Sequence, residues 1–182
     1  MARVLILSGS PREGGNTDDC VARVSQRLGE GGHEVETIRV CDLDLKPCMG
    51  CRRCMELGRC AITDDDFNAV WQKTPRNSLL ISAAPVYWFA PPGPMKNFID
   101  RTHAWYARTK PLDGLLACLL SVAADDGCWE PHEAVMKSWL VSYGAQLLAP
   151  LRVQAREKGE ALSNPDTLKR LDRWAQQITT EL

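Results

Sequence analysis

Apolar residues along this chain fall into two patterns, short continuous runs and stretches with helical spacing. Continuous runs bounded by turn residues predict strands at residues 3–8, 34–40, 78–84 and 115–122, with a short fifth strand between residues 145 and 153. Each run is followed by a segment with helical spacing. Since strands buried on both faces are continuous apolar runs, the pattern predicts a doubly wound α/β protein with a parallel sheet covered by helices.

Five helices are predicted in the intervals. They begin at about residues 16, 64, 94, 131 and 165, where asparagine, aspartate or proline precedes the helical spacing. Each presents one apolar face toward the sheet. The residues expected on these faces are Val21, Val24, Leu28, Phe67, Val70, Trp71, Met95, Phe98, Ile99, Thr102, Val135, Met136, Trp139, Leu140, Leu168, Leu171, Ala175 and Ile178.

Length and charge narrow the class of protein. The chain has 182 residues, which fits a single domain over 1–182. Its 22 basic and 23 acidic residues give a net charge of -1, so general binding to nucleic acid is not expected. No apolar stretch approaches the roughly 18 residues of a membrane span. The apolar run at residues 4–7 is too short for a signal-peptide core, and we expect a cytoplasmic protein.

The first strand ends in a loop with the sequence Ser-Gly-Ser-Pro-Arg-Glu-Gly-Gly-Asn-Thr. Ser10 and Thr17 offer hydroxyls, Asn16 an amide and Arg12 a guanidinium, directly before a helix N-terminus. These groups suit a terminal phosphate. The loop lacks the lysine of a nucleotide-hydrolysing loop and the glycine pattern of a dinucleotide site. An ordinary capped turn with a surface arginine is the alternative.

The third strand is followed by an aromatic loop that consists of Pro85, Val86, Tyr87, Trp88 and Phe89. Three aromatic side chains offer a flat apolar wall, and the loop backbone offers hydrogen-bonding groups at its edge. A planar cofactor ring needs both features. The alternative is that the aromatics cap the sheet or fill a subunit contact.

Together these motifs resemble the flavodoxin-like NAD(P)H-dependent FMN reductases. The loop at residues 8–17, called the phosphate loop below, resembles that family's FMN-phosphate loop. The aromatic loop resembles the segment that lies against the isoalloxazine ring in that family. Residues 95–101 resemble the helix that follows this segment. The resemblance implies a five-stranded parallel sheet of order 2-1-3-4-5 and an FMN site formed by the two loops. It also implies NAD(P)H as a possible electron donor.

Four of the eight cysteines lie within a cysteine-rich loop at about residues 41–63. Cys48, Cys51 and Cys54 are spaced by three, and Cys60 follows after five intervening residues. Four thiolates on one short loop can ligate a single [4Fe-4S] cluster. Zinc usually takes two separated pairs of cysteines. Free or disulfide-forming thiols are the third interpretation. The remaining cysteines, Cys20, Cys41, Cys118 and Cys128, are scattered and are expected to be dispensable.

The position and spacing of this loop resemble the iron–sulfur flavoproteins, a branch of the same family. The resemblance implies electron transfer from a ferredoxin-type donor through the cluster to FMN. It also implies a homodimer or homotetramer. Two alternatives remain open: a cluster-free NAD(P)H-dependent FMN or quinone reductase, and a zinc-stabilised binding module.

The three histidines lie at no metal or triad spacing. We expect His33, His103 and His132 to be surface or structural residues, since the flavin supplies the difficult chemistry. His103, Trp105 and Tyr106 follow the helix after the aromatic loop, where a subunit interface or a substrate entrance is the functional alternative.

Overall fold

The computed structural model describes residues 1–105 and 110–182. Tyr106 lies outside the described residues. The strands are β1 (Arg3–Ser8), β2 (Glu34–Arg39), β3 (Leu79–Pro85), β4 (Leu116–Ala123), β5 (Gln146–Leu147) and β6 (Leu151–Gln154). The helices are α1 (Asn16–Glu30), α2 (Cys54–Leu57), α3 (Phe67–Lys73), α4 (Gly93–Arg101), α5 (Trp129–Ser142), α6 (Glu160–Ser163) and α7 (Pro165–Glu181).

All six strands belong to one parallel sheet. Its order is β2-β1-β3-β4-β5, and β6 also pairs with β4. The predicted order 2-1-3-4-5 and the doubly wound α/β fold are therefore confirmed, with one strand more than the five expected.

The extra strand arises because the fifth strand is broken. Gln146 lies opposite Leu116, whereas Leu151 lies opposite Leu120. The segment from Gln146 to Leu151 is therefore one residue longer than the segment of β4 that it faces. Pro150 lies in this break and has no backbone N–H to give to β4. The carbonyl of Ala149 turns instead to Trp174, whose indole N–H donates to it at 2.9 Å.

The second strand departs from the expected continuous apolar run. β2 lies at the edge of the sheet, and Glu34, Glu36 and Thr37 are exposed. An edge strand has a neighbour on one side only, and charged side chains there discourage pairing with other chains.

Successive residues of β1 point to opposite faces of the sheet and so separate two cores. Val4 and Ile6 pack with α1, α6 and α7 on one face, while Leu5 and Leu7 pack with α3, α4 and α5 on the other. The second core is rich in aromatic side chains. Its ring contacts join Phe67, Trp71, Phe98, Trp139 and Tyr143.

The three loops that carry the motifs leave the sheet at the carboxyl ends of β1, β2 and β3, which in a parallel sheet share one edge. Among the described residues, no helix is long and apolar enough to cross a membrane.

Candidate functional site

The loop between β1 and α1 is held in one shape by its own hydrogen bonds. The Ser10 hydroxyl accepts from the backbone N–H of Arg12 at 3.3 Å, and the Gly15 N–H donates to the Arg12 carbonyl at 3.2 Å. The Asp18 carboxylate accepts from the Gly14 N–H and the Ser8 hydroxyl. Gly14 has a φ of 58°, which glycine adopts without strain. The loop is therefore shaped before any ligand binds.

Gly9 brings this loop close to helix α4. Its N–H donates to the Ala83 carbonyl at 2.8 Å, and a Cβ at this position would lie 2.8 Å from the Cβ of buried Met95. Only glycine allows this approach without displacing α4. The Ser-Gly-Ser order of the loop thus has a packing reason.

A cavity of about 120 Å³ opens between this loop and the ends of β3, β4 and β6. Seven of the nine residues expected to bind the cofactor line it: Ser10, Arg12, Asn16, Thr17, Pro85, Val86 and Tyr87. Val122, Ala123 and Ala124 close it from the end of β4, and Arg156 from the end of β6. Trp88 and Phe89 are not among the lining residues.

The N-terminus of α1 points its free backbone groups toward this cavity. Gly15 precedes the helix and provides no side-chain cap, so the first N–H groups of the helix are available to an anion. The side chain of Asn16 has another task. Its amide donates to the Glu157 carbonyl at 2.8 Å and accepts from the Ala161 N–H at 3.1 Å, so it ties the segment after β6 to the loop.

Trp88 and Phe89 form the centre of a tight turn. The N–H groups of Tyr87 and Ala90 donate to each other's carbonyls at 2.8 and 3.0 Å. Trp88 has a φ of 49° and Phe89 a φ of 61°, the left-handed pair of a type I′ turn. Asparagine and glycine are favoured there, and aromatic residues are strained. Trp88 is 94% exposed and Phe89 52%.

His132 was expected to be a surface or structural residue, and the structure places it in the interior. The side chain is buried beside Ala90 at the start of α5. Burial lowers the pKa of His132, and the Ala90 backbone only partly offsets this. His132 is therefore a buried structural residue.

The four clustered cysteines share a second cavity of about 840 Å³. Cys48 and Cys51 are exposed, whereas Cys54 and Cys60 are half-buried, and all four thiols are free. Burial raises the pKa of the Cys54 thiol, and the other three thiols raise it further. All four cysteines therefore face the same open cavity. Across residues 1–105 and 110–182, however, no three His, Cys, Asp or Glu side chains are arranged to hold a metal ion.

Helix α4 holds both ends of the cysteine loop. The Asn97 amide accepts from the Cys48 N–H at 3.0 Å and donates to the carbonyls of Leu45 and Lys46. Arg101 holds the other end through Cys60 and the residues that follow it. The same helix begins three residues after the aromatic turn, so one rigid element connects the two candidate sites.

The other singled-out residues divide between core and surface. Burial raises the pKa of the Cys20 and Cys118 thiols to about 12, with a further contribution from Asp19 at Cys20, as expected for inert core residues. His33 accepts from the Ala2 N–H at 3.4 Å. His103 is exposed and lines the second cavity.

The model of the NADPH-dependent FMN reductase family matches residues 2–156. The chain belongs to this family. An iron-sulfur flavoprotein of Methanocaldococcus jannaschii is 36% identical over 100 residues, 55% of this chain and 51% of that protein. One of Methanosarcina thermophila is 28% identical over 139 residues, 76% of this chain and 72% of that protein. The match thus spans about half the length of the first relative. The resemblance to the iron–sulfur flavoprotein branch is confirmed.

Solved structures with the same architecture support the fold. The NAD(P)H:quinone oxidoreductase from Methanothermobacter marburgensis superimposes with a TM-score of 0.81 at 17% identity, over 97% of this chain and 96% of that one. An FMN-dependent NADH-azoreductase from Bacillus anthracis in complex with FMN gives a TM-score of 0.73 at 12% identity, over 97% and 99%. At these identities the likeness shows the flavodoxin-like fold alone.

Two cationic residues near the first cavity were not predicted from the sequence. Arg156 is the last residue of the region that matches the family model, and Lys158 lies just beyond it. Arg156 lines the first cavity and pairs with Asp125, and Lys158 donates to the Glu13 carbonyl at 3.2 Å. The sequence carries only a partial signal for Arg156, which lies two residues after the carboxyl end of β6, at the edge where ligands of parallel sheets bind.

Proposed function

We propose that this protein is an FMN-dependent oxidoreductase of the iron–sulfur type, with one FMN and one [4Fe-4S] cluster. The observation that carries the proposal is the arrangement of the two cavities. Helix α4 joins the aromatic turn beside the first cavity to both ends of the loop whose four cysteines line the second. The relatives named iron-sulfur flavoprotein support the assignment.

The first cavity suits the phosphate end of FMN. The hydroxyls of Ser10 and Thr17, the guanidinium of Arg12 and the first N–H groups of α1 provide donors on one side. Pro85, Val86 and Tyr87 form the opposite wall and lead to the exposed aromatic turn, where the ring would lie against Tyr87, Trp88 and Phe89. A single anion site favours FMN over FAD. Bound FMN exchanges electrons singly or in pairs, which is the redox chemistry proposed here.

The cysteine loop fits an iron–sulfur cluster in the number and kind of its donors. Cys48, Cys51, Cys54 and Cys60 face one cavity, and no imidazole or carboxylate is needed to complete the set. Arg52, Arg53 and Arg59 lie between the ligands in sequence and would offset the negative charge of a thiolate-bound cluster. Since the thiols do not form a closed set, the loop would close on the cluster as it binds.

A cluster-free NAD(P)H-dependent FMN or quinone reductase is the second candidate. The observation in its favour is the superposition on a quinone oxidoreductase over nearly the whole of both chains. The two functions differ in the proposed electron donor. It is a ferredoxin-type protein for the first function and NAD(P)H for the second.

Assembly as a homodimer or homotetramer belongs to the same proposal. Trp88 exposes 94% of its surface beside Tyr87 and Phe89, and exposed aromatic patches often mark subunit contacts. Light scattering of the FMN-loaded protein at micromolar concentration should give at least twice the mass of the chain. A monomeric mass would remove this part of the proposal.

Iron and acid-labile sulfide assays on anaerobically purified protein test the main proposal. We expect four irons, four sulfides and one FMN per chain, since one [4Fe-4S] cluster contains these atoms. FMN without iron, even after reconstitution, would leave the cluster-free reductase. Zinc in place of iron, without flavin, would indicate the zinc-stabilised module.

A further inference from the structure

Arg101 is a buried arginine whose hydrogen-bonding capacity is fully used. Its side chain has no exposed surface, and neither has that of its partner Asp65. A guanidinium has five N–H donors in a fixed fork. Nε donates to the Cys60 sulfur at 3.3 Å, Nη1 to the Lys46 carbonyl at 2.9 Å and to Asp65, and Nη2 to Asp65 at 3.0 Å and the Ile62 carbonyl at 3.4 Å.

These bonds join the chain on both sides of the cysteine loop. Lys46 precedes the first cysteine, and Ile62 and Asp65 follow the last one. Asp65 strengthens the joint, because its carboxylate also accepts from the backbone N–H groups of Lys46 and Phe67 at 3.0 and 3.3 Å. The Phe67 ring lies 4.5 Å from the guanidinium carbon and covers it from the core.

Anchoring the loop does not require the hydrogen bond from Nε of Arg101 to the sulfur of Cys60. Asn97 holds the entry of the loop through hydrogen bonds with the backbone of Leu45, Lys46 and Cys48. Arg101 joins the entry to the exit and also directs one donor to the sulfur of Cys60. N–H groups directed at ligand sulfurs help set the reduction potential of an iron–sulfur cluster, since they stabilise the more negatively charged reduced form.

We propose that Arg101 is a positioning residue that fixes Cys60 as a cluster ligand and, through its Nε–H, raises the reduction potential of the cluster. This inference rests on the proposed function. Lysine cannot replace the fork, because a single ammonium cannot reach Cys60, Asp65 and two carbonyls in one plane.

The test compares Arg101→Lys with Asn97→Ala in reconstituted protein, and FMN content serves as the check of folding. We expect the midpoint potential of the cluster, followed by EPR in an anaerobic redox titration, to fall in Arg101→Lys. A tenfold change in the one-electron equilibrium corresponds to about 59 mV. Asn97→Ala should lose iron faster than the wild type yet keep its midpoint, since no sulfur loses a hydrogen bond.

A second variant covers the case in which Arg101→Lys does not fold. Asp65→Asn keeps the guanidinium in place but removes its counter-charge, so the midpoint should rise. An unchanged midpoint in either variant, with iron still bound, would overturn the inference and leave the proposed cluster intact. A midpoint that falls equally in Asn97→Ala would reduce Arg101 to an anchor of the loop. Wild-type protein without iron would instead overturn the proposed function together with the inference.

Discussion

Two loops leave neighbouring strands at the same edge of the sheet, yet they are built in opposite ways. The loop after β1 has exposed residues only at 11–13; residues 8–10 and 15–17 on either side are buried, and the turns are fixed by internal hydrogen bonds. In the loop after β2, residues 46–53 are exposed, and the hydrogen bonds that hold it come largely from α4 at its two ends. The first loop has its final shape, whereas the second is fixed only at its boundaries.

The difference predicts different binding behaviour. A preformed site loses little conformational entropy when its ligand binds, while an open loop must be ordered at the moment of binding. We therefore expect flavin binding to be independent of the metal. The cysteine loop should gain most of its order from the cluster, as small metal sites commonly do.

Removing one thiol gives the largest expected effect. Cys54→Ala should abolish the cluster and leave FMN content unchanged, because three thiolates do not complete the set and the first cavity does not involve Cys54. Iron and flavin determinations on anaerobically purified protein measure both quantities. The matched control is Cys118→Ala in the buried core, which should keep iron and FMN alike. Four irons in Cys54→Ala would contradict the assigned ligands.

The next effect concerns the phosphate loop. Arg12→Ala should weaken FMN binding by about 1.5–3 kcal/mol, the usual loss for a hydrogen bond to a charged group. Riboflavin has no phosphate, so its affinity should not change. Fluorescence titrations of both flavins provide the measurement.

Asn16→Ala is the informative comparison for Arg12→Ala. The Asn16 amide is engaged by Glu157 and Ala161, so its loss should act by loosening the segment that carries Arg156. We expect a smaller loss of FMN affinity than for Arg12→Ala, and a larger loss in the double variant. Unchanged FMN affinity in the double variant would remove the phosphate site.

The sequence allowed the prediction of those parts of the site that are continuous along the chain. Ser10 to Thr17 and Cys48 to Cys60 are both local motifs, and each lies in the loop that follows a predicted strand. Arg101 lies in a segment that resembles the family, but no role could be predicted for it, because its hydrogen-bond partners lie far away in sequence. Arg156 was missed for a similar reason, since only the sheet brings it to the loop after β1.

Two further features ran against local preference. A Trp-Phe pair is a poor type I′ turn by propensity, so the turn could not be expected from its residues. The broken fifth strand depends on the register against β4, which Pro150 alone does not specify.

The aromatic turn is strained, because Trp88 and Phe89 both have a positive φ. Replacing Trp88 by Asn and Phe89 by Gly should relieve about 1–2 kcal/mol of strain at each position. The free energy of unfolding of the flavin-free protein should therefore rise, while FMN affinity falls because the aromatic wall is lost. Chemical denaturation and flavin titration of the same variant separate the two effects. Higher stability with unchanged affinity would show that the two side chains do not contact the flavin.

The smallest expected effect is a loss of folding stability in acid that arises at Asp65, where the cysteine loop is anchored to Arg101. Burial alone would raise the pKa of Asp65, but its hydrogen bonds from Arg101 and the Lys46 backbone outweigh this and hold the pKa below its ordinary value. A carboxylate whose pKa is lower in the folded state stabilises the fold above its unfolded pKa of about 3.9, and that contribution is lost as the pH falls through the folded value.

Urea denaturation of the iron-free, flavin-free protein between pH 6 and pH 3 measures this contribution. The wild type should lose stability toward acid more steeply than Asp65→Asn, by at most about 1.4 kcal/mol per pH unit for a single proton. Asp65→Asn will be less stable at every pH because it leaves the buried guanidinium without its counter-charge, so the slope and not the level carries the result. Equal slopes would mean that the acid sensitivity lies elsewhere in the fold.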